Sequence, residues 1–496
     1  MKVLVSDSLS NEGLEILKEH FDIDVCTGLC EDELVEKIKG YDALVIRSGT
    51  QVTQRIIEAA DNLKIIGRAG GVGVDNVDVD AATKKGIIVA NAPEGNMISA
   101  AEHTIAMMMS MSRNIPQANA SLKAREWKRN KFMGVEVKGK TLGVIGLGRI
   151  GSEVAKRAAG LEMNLMGYDP PFISEKRAME LGVKLATVNE IAKEADYITV
   201  HTPLIKETRN ILDDEQFALM KKGVRVLNCA RGGIINEEAL ARALESGKVG
   251  GAAIDVFVEE PPFSSPLLNF DNVIVTPPHL GASTQEAQVN VAIDIAKEVV
   301  SVLTGGSAKN AINIPPSVKP EAMAVLAPPY IRLSELMGKI AGQLVDSNYE
   351  KVEIAYNGGE ISGKDTRPLT VSALKGLLEM AVGSGGVNYV NAPILAKSRK
   401  IAVVESKSES AEEYSSTVSI RLSSGESTKM VAGTVVGDEP KIVSIDDDKV
   451  DIFPAGRMIF AKHINKPNVI GPCCMVLGKN NINISGMQLA GRKSEA

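Results

Sequence analysis

The sequence predicts an α/β protein with two doubly wound lobes of the flavodoxin or Rossmann type and a cleft between them. Apolar strands alternate with amphipathic helices over the first hundred residues and again from 141 onwards, which is typical of parallel sheets covered on both faces. A glycine-rich turn follows the strand at 141 and opens a helix. The rhythm changes after a linker with Gly, Ser and Pro at 304–316, which predicts a separate α+β domain.

Length and composition exclude several classes of protein. The 496 residues are enough for about three domains. A net charge of −6 argues against a nucleic-acid surface. The first 17 residues enter a strand-and-helix pattern without the features of a signal peptide, and no apolar run approaches the ~18 residues of a membrane span. We therefore expect a cytoplasmic protein that binds neither nucleic acid nor membrane.

The five cysteines form neither a CxxC pair nor an array with metal-ligand spacing. Cys473 and Cys474 lie in a predicted helix, where neighbouring side chains point in different directions. No metal site is expected, and the cysteines are interpreted as ordinary packing residues in a reducing compartment.

Two arginines end strands in the first lobe, which we assign to residues 1–97 plus 284–304. Arg47 lies in IRSGT and Arg68 in GRAGGVGVDN, where the N–H groups of Gly70 and Gly71 can also hold a carboxylate. Ligands of such sheets bind at the carboxyl ends of strands, which favours an anion site for substrate here. The alternative is a pair of solvated arginines.

Residues 98–113 predict a helix that connects the lobes. His103 within it is interpreted as a core residue, because a histidine inside an apolar helix is more often packed than catalytic. The following segment, 122–134, carries five cations and Trp127, a composition that indicates a surface segment. It could also lend charge to an anionic substrate in a neighbouring subunit.

The turn at Thr141–Gly151, TLGVIGLGRIG, predicts a nucleotide site. In the pattern Gly146-x-Gly148-x-x-Gly151, the first glycine allows the turn, the second lets a pyrophosphate approach, and the third lets helix and strand pack closely. Alone, this pattern is a weak signal.

Asp169 strengthens the nucleotide assignment. It ends the next strand, 18 residues after Gly151, about where a carboxylate holds the adenosine ribose hydroxyls. Pro170 and Pro171 follow, with no Arg placed for a 2′-phosphate, so NAD is favoured over NADP. The alternative is that Asp169 is only a turn residue.

The nucleotide lobe is assigned to 98–283, with six predicted strands. Three of its strand ends carry reactive groups: Arg231 after NCA, Glu260 after DVFVE and His279 in TPPHLGAST. A guanidinium fork suits a carboxylate and a carbonyl oxygen, and a carboxylate beside a histidine suits a general acid or base. Together with NAD, these groups predict hydride transfer from a 2-hydroxy acid.

The motifs GLGRIG, HTPL, NCARGG, AAIDVFxxEP and HLGAST, in this order, resemble the D-isomer-specific 2-hydroxyacid dehydrogenases. GRAG, VGVDNVD, AAEHT and the C-terminal extension resemble the phosphoglycerate dehydrogenase branch of that family. The resemblance implies oxidation of 3-phospho-D-glycerate to 3-phosphohydroxypyruvate, the first step of L-serine biosynthesis, by a homodimer or homotetramer.

The resemblance also implies site residues. Arg231, Glu260 and His279 would be catalytic, and Arg47, Arg68, Gly70 and Gly71 would line the substrate site. The implied NAD contacts are Gly146, Gly148, Arg149, Ile150, Gly151, Asp169, Thr202, Cys229, Ala230, Arg231, Asp255, His279, Gly281 and Ala282.

Two loops depart from the family pattern. GRAGGVGVDN and TPPHLGAST each carry one extra residue beside the expected site. A shift of ~1 Å in such a site can lower the rate ~100-fold.

The C-terminal third is expected to be regulatory. Residues 317–456 resemble the intervening allosteric domain of long-form phosphoglycerate dehydrogenases. Residues 457–496 predict strand, helix and strand and resemble the start of an ACT domain, and we expect this domain to be incomplete. The resemblance implies an L-serine site at His463, Asn465 and Asn483.

Two other functions compete with this interpretation. One is a glyoxylate or hydroxypyruvate reductase of the same family, which the C-terminal extension disfavours. The other is a non-catalytic NAD sensor that binds protein partners.

Overall fold

A computed structural model describes most of the chain and contains three β-sheets. The described residues are 1–71, 73–169, 173–306, 308–314, 328–345, 349–383, 386–411, 413–425, 427–446, 448–461, 463 and 467–489.

The first lobe is a five-stranded parallel sheet in the order β2-β1-β3-β4-β5. Its strands are β1 (Lys2–Val5), β2 (Asp22–Val25), β3 (Ala43–Ile46), β4 (Ile65–Arg68) and β5 (Ile88–Asn91), and its helices are α1 (Asn11–Lys18), α2 (Glu31–Lys37), α3 (Gln54–Ala59) and α4 (Val79–Lys85). The strand order reverses between β1 and β3. Ligands of doubly wound sheets bind outside the carboxyl ends at such a point, and Arg47 follows β3 there.

A long helix, α12 (Gln285–Leu303), packs back onto the first lobe. Glycines permit this contact: a Cβ on Gly13 would lie 2.7 Å from that of Ala292, and a Cβ on Gly67 would lie 2.8 Å from Ile295. After α12 the Asn313 side chain accepts a hydrogen bond from Val89 N at 2.9 Å. The chain therefore leaves the first lobe after β5 and returns to it.

The second lobe is a seven-stranded parallel sheet in the order β12-β11-β10-β9-β6-β7-β8. Its strands are β6 (Thr141–Ile145), β7 (Asn164–Tyr168), β8 (Val183–Leu185), β9 (Tyr197–Val200), β10 (Val224–Asn228), β11 (Val249–Ile254) and β12 (Val273–Val275). Its helices and the connector are α5 (Met97–Arg113), α6 (Ile115–Lys123), α7 (Arg149–Gly160), α8 (Glu175–Glu180), α9 (Val188–Glu194), α10 (Asp214–Leu219) and α11 (Glu237–Glu245), with short 3-10 turns at Arg129–Phe132, Pro266–Asn269 and Leu280–Ala282.

The prediction of six strands in this lobe was wrong by one. The additional strand, β8, has three residues, of which only Val183 is buried. So short a segment with one apolar contact has no period that a sequence pattern can detect. The two parallel sheets themselves confirm the predicted fold class.

The third sheet is mixed, with order β14-β13-β15-β16-β17-β18. Its strands are β13 (Lys351–Asn357), β14 (Ala402–Ser408), β15 (Thr417–Ser424), β16 (Ser427–Val436), β17 (Glu439–Ile445) and β18 (Asp448–Ile452), and its helices are α13 (Pro328–Gln343), α14 (Gly359–Ser362), α15 (Arg367–Val382) and α16 (Ala392–Ser398). Only β13 and β14 pair in parallel. This confirms the predicted change to an α+β domain.

The third domain rests on the first lobe. The Asn388 side chain donates to the carbonyl oxygen of Gly86, at the end of α4, at 2.6 Å. Val371 and Val390 join the apolar core of the first lobe. The two domains therefore share both a hydrogen bond and apolar contacts.

The C-terminal segment departs from the predicted strand, helix and strand. It holds one helix, α17 (Ile470–Lys479), which carries the two adjacent cysteines as predicted. Among the described residues of 457–489 no strand forms and no residue is buried. A strand needs a neighbour to pair its backbone groups, and none of the six strands of the third sheet pairs with this segment.

No helix in the described part of the chain has the length and apolar character needed to cross a membrane. All five cysteines are unpaired. The described residues also contain no group of three His, Cys, Asp or Glu side chains arranged to hold a metal ion.

We predict that Gly338→Ala destabilises the third domain by about 1–3 kcal/mol through overpacking. α13 and α15 cross in close contact, and a Cβ on Gly338 would lie 2.1 Å from the carbonyl oxygen of Ala373. Thermal unfolding should show a lower melting temperature. The matched control is Gly359→Ala in the same domain, whose added Cβ meets nothing within 4 Å. Equal melting temperatures for the two variants would contradict the close crossing.

Candidate functional site

The three glycines of the turn between β6 and α7 have distinct environments. Gly146 has φ +97°, and a Cβ there would lie 2.7 Å from the backbone of His201. Gly148 precedes α7, and a Cβ on it would meet nothing within 4 Å. A Cβ on Gly151 would lie 1.9 Å from the carbonyl oxygen of Gly146. The turn therefore has the open middle and the tight ends that a pyrophosphate cradle requires.

Asp169 lies beside this turn. Its Oδ2 accepts a hydrogen bond from Leu147 N at 2.8 Å. Burial raises the pKa of Asp169, and the Leu147 N–H opposes that rise. Pro170 and Pro171, which underlie the preference for NAD over NADP, lie outside the described residues. Asp169 therefore lies within hydrogen-bond distance of the glycine turn, as the nucleotide prediction requires.

Two buried polar atoms at the end of β9 have no partner within the described residues: Nδ1 of His201 and Oγ1 of Thr202. Nε2 of His201 lies 2.9 Å from the Thr199 hydroxyl. Burial lowers the pKa of His201 to about 4, so the ring is neutral at pH 7. The sequence reasoning missed His201, although it sits in the quoted motif HTPL next to Thr202. Unsatisfied buried groups such as these fit a bound polar ligand.

The two arginines of the first lobe face a common site. Nε of Arg47 and Nε of Arg68 are both buried without a hydrogen-bond partner in the described structure. Burial lowers the pKa of Arg68, and the positive charges of Arg231 and Arg47 lower it further. Three cations from both lobes thus act on one another, as an anion site requires.

The glycine loop after β4 is packed around these side chains. A Cβ on Gly70 would lie 2.0 Å from Nη1 of Arg68, and a Cβ on Gly71 would lie 2.6 Å from Oδ1 of Asn96. Asn96 at the start of α5 was missed by the sequence reasoning, because one Asn before a helix reads as a cap. Its side chain forms no cap hydrogen bond.

Arg231 enters the cleft from a tight turn after β10. The Asn228 side chain donates to Arg231 O at 2.9 Å and accepts from Ala230 N at 3.0 Å. Nε of Arg231 lies 3.5 Å from Oδ2 of Asp75 in the first lobe. The guanidinium therefore reaches across the cleft.

His279 and Glu260 form a pair, with 3.3 Å between Nε2 and Oε2. The other oxygen of Glu260 accepts from Phe257 N at 3.2 Å. A Cβ on Gly232, next to Arg231, would lie 1.8 Å from Phe257 O. The turn that carries Arg231 and the turn that carries Glu260 are therefore in direct backbone contact.

Asp255 fixes the backbone at His279. His279 N donates to Asp255 O at 2.9 Å, and Thr276 Oγ1 and Gly281 N donate to its carboxylate at 2.5 and 3.2 Å. Burial acts to raise the pKa of Asp255, but His103, Thr276 and Gly281 outweigh it, and the pKa is lowered. The carboxylate is therefore charged.

His103, which the sequence predicted as a core residue, lies beside a charged side chain. Its Nε2 is 3.3 Å from Oδ1 of Asp255. Cys229 is half-buried near Asp255 and Thr104, and burial of its thiol raises the pKa of that group to about 12. The Cys229 thiol is consequently not a nucleophile at neutral pH.

The proposed serine site falls in the C-terminal segment. His463 and Asn483 are exposed, and Asn465 lies outside the described residues. In the segment 122–134 the Trp127 side chain is 83% exposed. The structure thus pairs His279 with Glu260 and brings Arg231 to Asp75 of the first lobe, and it leaves His463 and Asn483 exposed.

Two family profiles match this chain. The profile described as D-isomer specific 2-hydroxyacid dehydrogenase, NAD binding domain, matches residues 105–281. The profile described as D-3-phosphoglycerate dehydrogenase intervening domain matches residues 326–446.

Curated relatives match over nearly the full length. The D-3-phosphoglycerate dehydrogenase of Methanocaldococcus jannaschii is 48% identical over 99% of this chain and 93% of its own. That of Bacillus subtilis is 45% identical over 100% of this chain and 93% of its own.

Solved structures match the two lobes. A glyoxylate reductase from Paecilomyes thermophila is 28% identical with a TM-score of 0.58, covering 63% of this chain and 98% of its own. A D-lactate dehydrogenase from Aquifex aeolicus, solved with NAD and lactic acid, is 28% identical with a TM-score of 0.55 and covers 62% and 96%.

We predict that Gly151→Ala weakens NADH binding at least about 10-fold, because the new methyl group must displace the turn that approaches the pyrophosphate. The measurement is a fluorescence titration with NADH. Gly160→Ala in the same helix is the control, since its Cβ meets nothing within 4 Å. Unchanged NADH affinity in Gly151→Ala would refute the assignment of the cradle.

Proposed function

The chain belongs to the D-3-phosphoglycerate dehydrogenases, within the D-isomer-specific 2-hydroxyacid dehydrogenases, and on that premise we propose which residues perform its reaction. The reaction is the NAD-dependent oxidation of 3-phospho-D-glycerate in L-serine biosynthesis. The proposed catalytic residues are Arg231, Glu260 and His279.

The convergence of three arginines is the observation that carries the substrate assignment. The substrate bears a carboxylate at one end and a phosphate at the other. Arg47 and Arg68 have buried Nε atoms without partners in the described structure, and Arg231 faces them from the second lobe. We assign Arg47 and Arg68 to the phosphate and Arg231 to the carboxylate and C2 oxygen. A guanidinium binds such groups through two parallel hydrogen bonds.

The pair of His279 and Glu260 supplies the proton transfer. The neutral His279 ring takes the proton of the C2 hydroxyl, and the Glu260 carboxylate, 3.3 Å away, stabilises the imidazolium that forms. The hydrogen bond from Phe257 N fixes the second Glu260 oxygen. Arg231 meanwhile stabilises the oxygen as it loses its proton.

The residues around Gly148 fit NAD. The open turn at Gly148 suits the pyrophosphate, Asp169 suits the ribose hydroxyls, and Thr202 Oγ1 offers a buried hydroxyl without a partner in the described part of the chain. Bound NAD would accept the hydride from C2 of the substrate.

Several expectations from the sequence stay predictions. They are the domain boundaries, the cytoplasmic location, assembly as a homodimer or homotetramer, and inhibition by L-serine. The serine site is supported only by the resemblance of 457–496 to an ACT domain, because His463 and Asn483 are both exposed.

We predict that the enzyme reduces 3-phosphohydroxypyruvate in strong preference to hydroxypyruvate, because Arg47 and Arg68 have no partner in the unphosphorylated acid. NADH oxidation with each substrate measures this preference. In His279→Ala the rate should fall about 100- to 10,000-fold, since reduction requires a proton on the C2 oxygen and His279, the general acid in this direction, is lost.

Equal use of both acids would favour the hydroxypyruvate reductase alternative. No turnover of either, with NADH still bound, would favour the non-catalytic NAD sensor.

We predict that Glu260→Gln lowers kcat by about 100-fold with little change in KM, because Gln keeps the shape but cannot stabilise the imidazolium. Steady-state kinetics at several pH values provide the measurement. Glu259→Gln, which changes the neighbouring exposed carboxylate, is the matched control. A loss of the same size in both variants would contradict the assigned role.

A further inference from the structure

Asp75 is an exposed carboxylate at an anion site. It is one of three polar residues between positions 75 and 78, and the other two, Asn76 and Asp78, have structural roles. Asn76 is buried and donates to the carbonyl oxygens of Arg47 and Thr50 at 2.7 and 2.6 Å. Asp78 accepts from Ala81 N at 2.9 Å and caps α4. The described structure gives Asp75 no hydrogen bond, and its side chain is 84% exposed.

Within the described part of the chain, Asp75 forms an ion pair with a residue of the other lobe. Its Oδ2 lies 3.5 Å from Nε of Arg231. A Cβ on Gly73 would lie 2.2 Å from Nη2 of Arg231 and 2.8 Å from Oδ2 of Asp75, so the guanidinium rests against the loop 73–75. Nη1 donates to the carbonyl oxygen of Ala230 at 2.8 Å. The Arg231 guanidinium therefore already has a carboxylate partner, Asp75, on the first lobe.

Asp75 also acts on the second arginine of the site. Its charge raises the pKa of Arg68, against the larger effect of burial. The charge of Asp7 also raises the pKa of Arg68. However, Oδ2 of Asp7 accepts hydrogen bonds from Arg47 N at 2.6 Å and Thr50 N at 3.1 Å. Of these two carboxylates, Asp75 is the one whose oxygens are not held by backbone groups.

We propose that Asp75 is an internal counter-ion that competes with the substrate carboxylate for Arg231 and so sets the affinity for substrate. This inference rests on the proposed role of Arg231 in carboxylate binding. An exposed ion pair is weak, so substrate can displace it. The apparent affinity is then reduced by the fraction of enzyme in which Arg231 is free.

The test is Asp75→Asn, which keeps the shape and removes the charge. KM for 3-phosphohydroxypyruvate should fall about 2- to 5-fold, with a smaller change in kcat, because only the free enzyme holds the competing pair. The Kd of oxalate, a small dicarboxylate, should fall by a similar factor in a thermal-shift titration of the enzyme. Asp75→Glu should restore a KM close to that of the wild type.

Asp80→Asn is the matched control. It removes the same charge from an exposed position on α4 and should leave both constants unchanged. An unchanged or higher KM and oxalate Kd in Asp75→Asn, or an equal fall in Asp80→Asn, would overturn the proposal.

The oxalate measurement needs no turnover, so it separates the two hypotheses. If Asp75→Asn binds oxalate more tightly but the enzyme does not reduce 3-phosphohydroxypyruvate, the proposed function is refuted and the counter-ion role of Asp75 is supported. If the enzyme reduces 3-phosphohydroxypyruvate but KM and the oxalate Kd are unchanged in Asp75→Asn, the proposed function is supported and the counter-ion role is refuted.

Discussion

Mutual repulsion among three arginines is the constraint on which the active cleft depends. Arg47 and Arg68 lie on one lobe and Arg231 on the other; burial lowers the pKa of Arg68, and the charges of Arg231 and Arg47 lower it further. Such a cluster forms only if the scaffold holds each cation independently. Each arginine lies at or just after the end of a different strand. The packing of the two sheets therefore offsets the electrostatic repulsion among the arginines, and an anionic substrate would reduce that repulsion.

Close backbone packing supplies the required rigidity. Gly232 lies against Phe257, so the turns that carry Arg231 and Glu260 cannot separate without loss of that contact. Asp255 holds the backbone at His279 through its carbonyl oxygen, and its carboxylate accepts three further hydrogen bonds, from Thr276, Leu280 and Gly281. Rigid placement of this kind lowers the reorganisation that proton and hydride transfer would otherwise need.

The sequence predicted residues whose chemistry shows in a local motif, and it missed residues that matter only through distant neighbours. The glycine turn, Asp169 and the strand ends at 231, 260 and 279 stand in recognisable patterns. The fold places Asp75 beside Arg231, Asn96 beside Gly71, and His201 beside the nucleotide turn. Only these contacts make the three residues candidates for a role in the site. The strand β8 and the C-terminal segment were misjudged because pairing depends on a partner strand elsewhere.

The sequence alone determined the alternation of strands and helices and the glycine turn, since periodicity and spacing encode them locally, and its motifs carried the resemblance to the family. Only the tertiary structure decided that Asp75 meets Arg231 across the cleft and that the third domain rests on the first lobe. The contact between Asn388 and Gly86 likewise joins residues 302 positions apart. Contacts of this kind arise from the packing of whole sheets and helices, and no local pattern of residues specifies them.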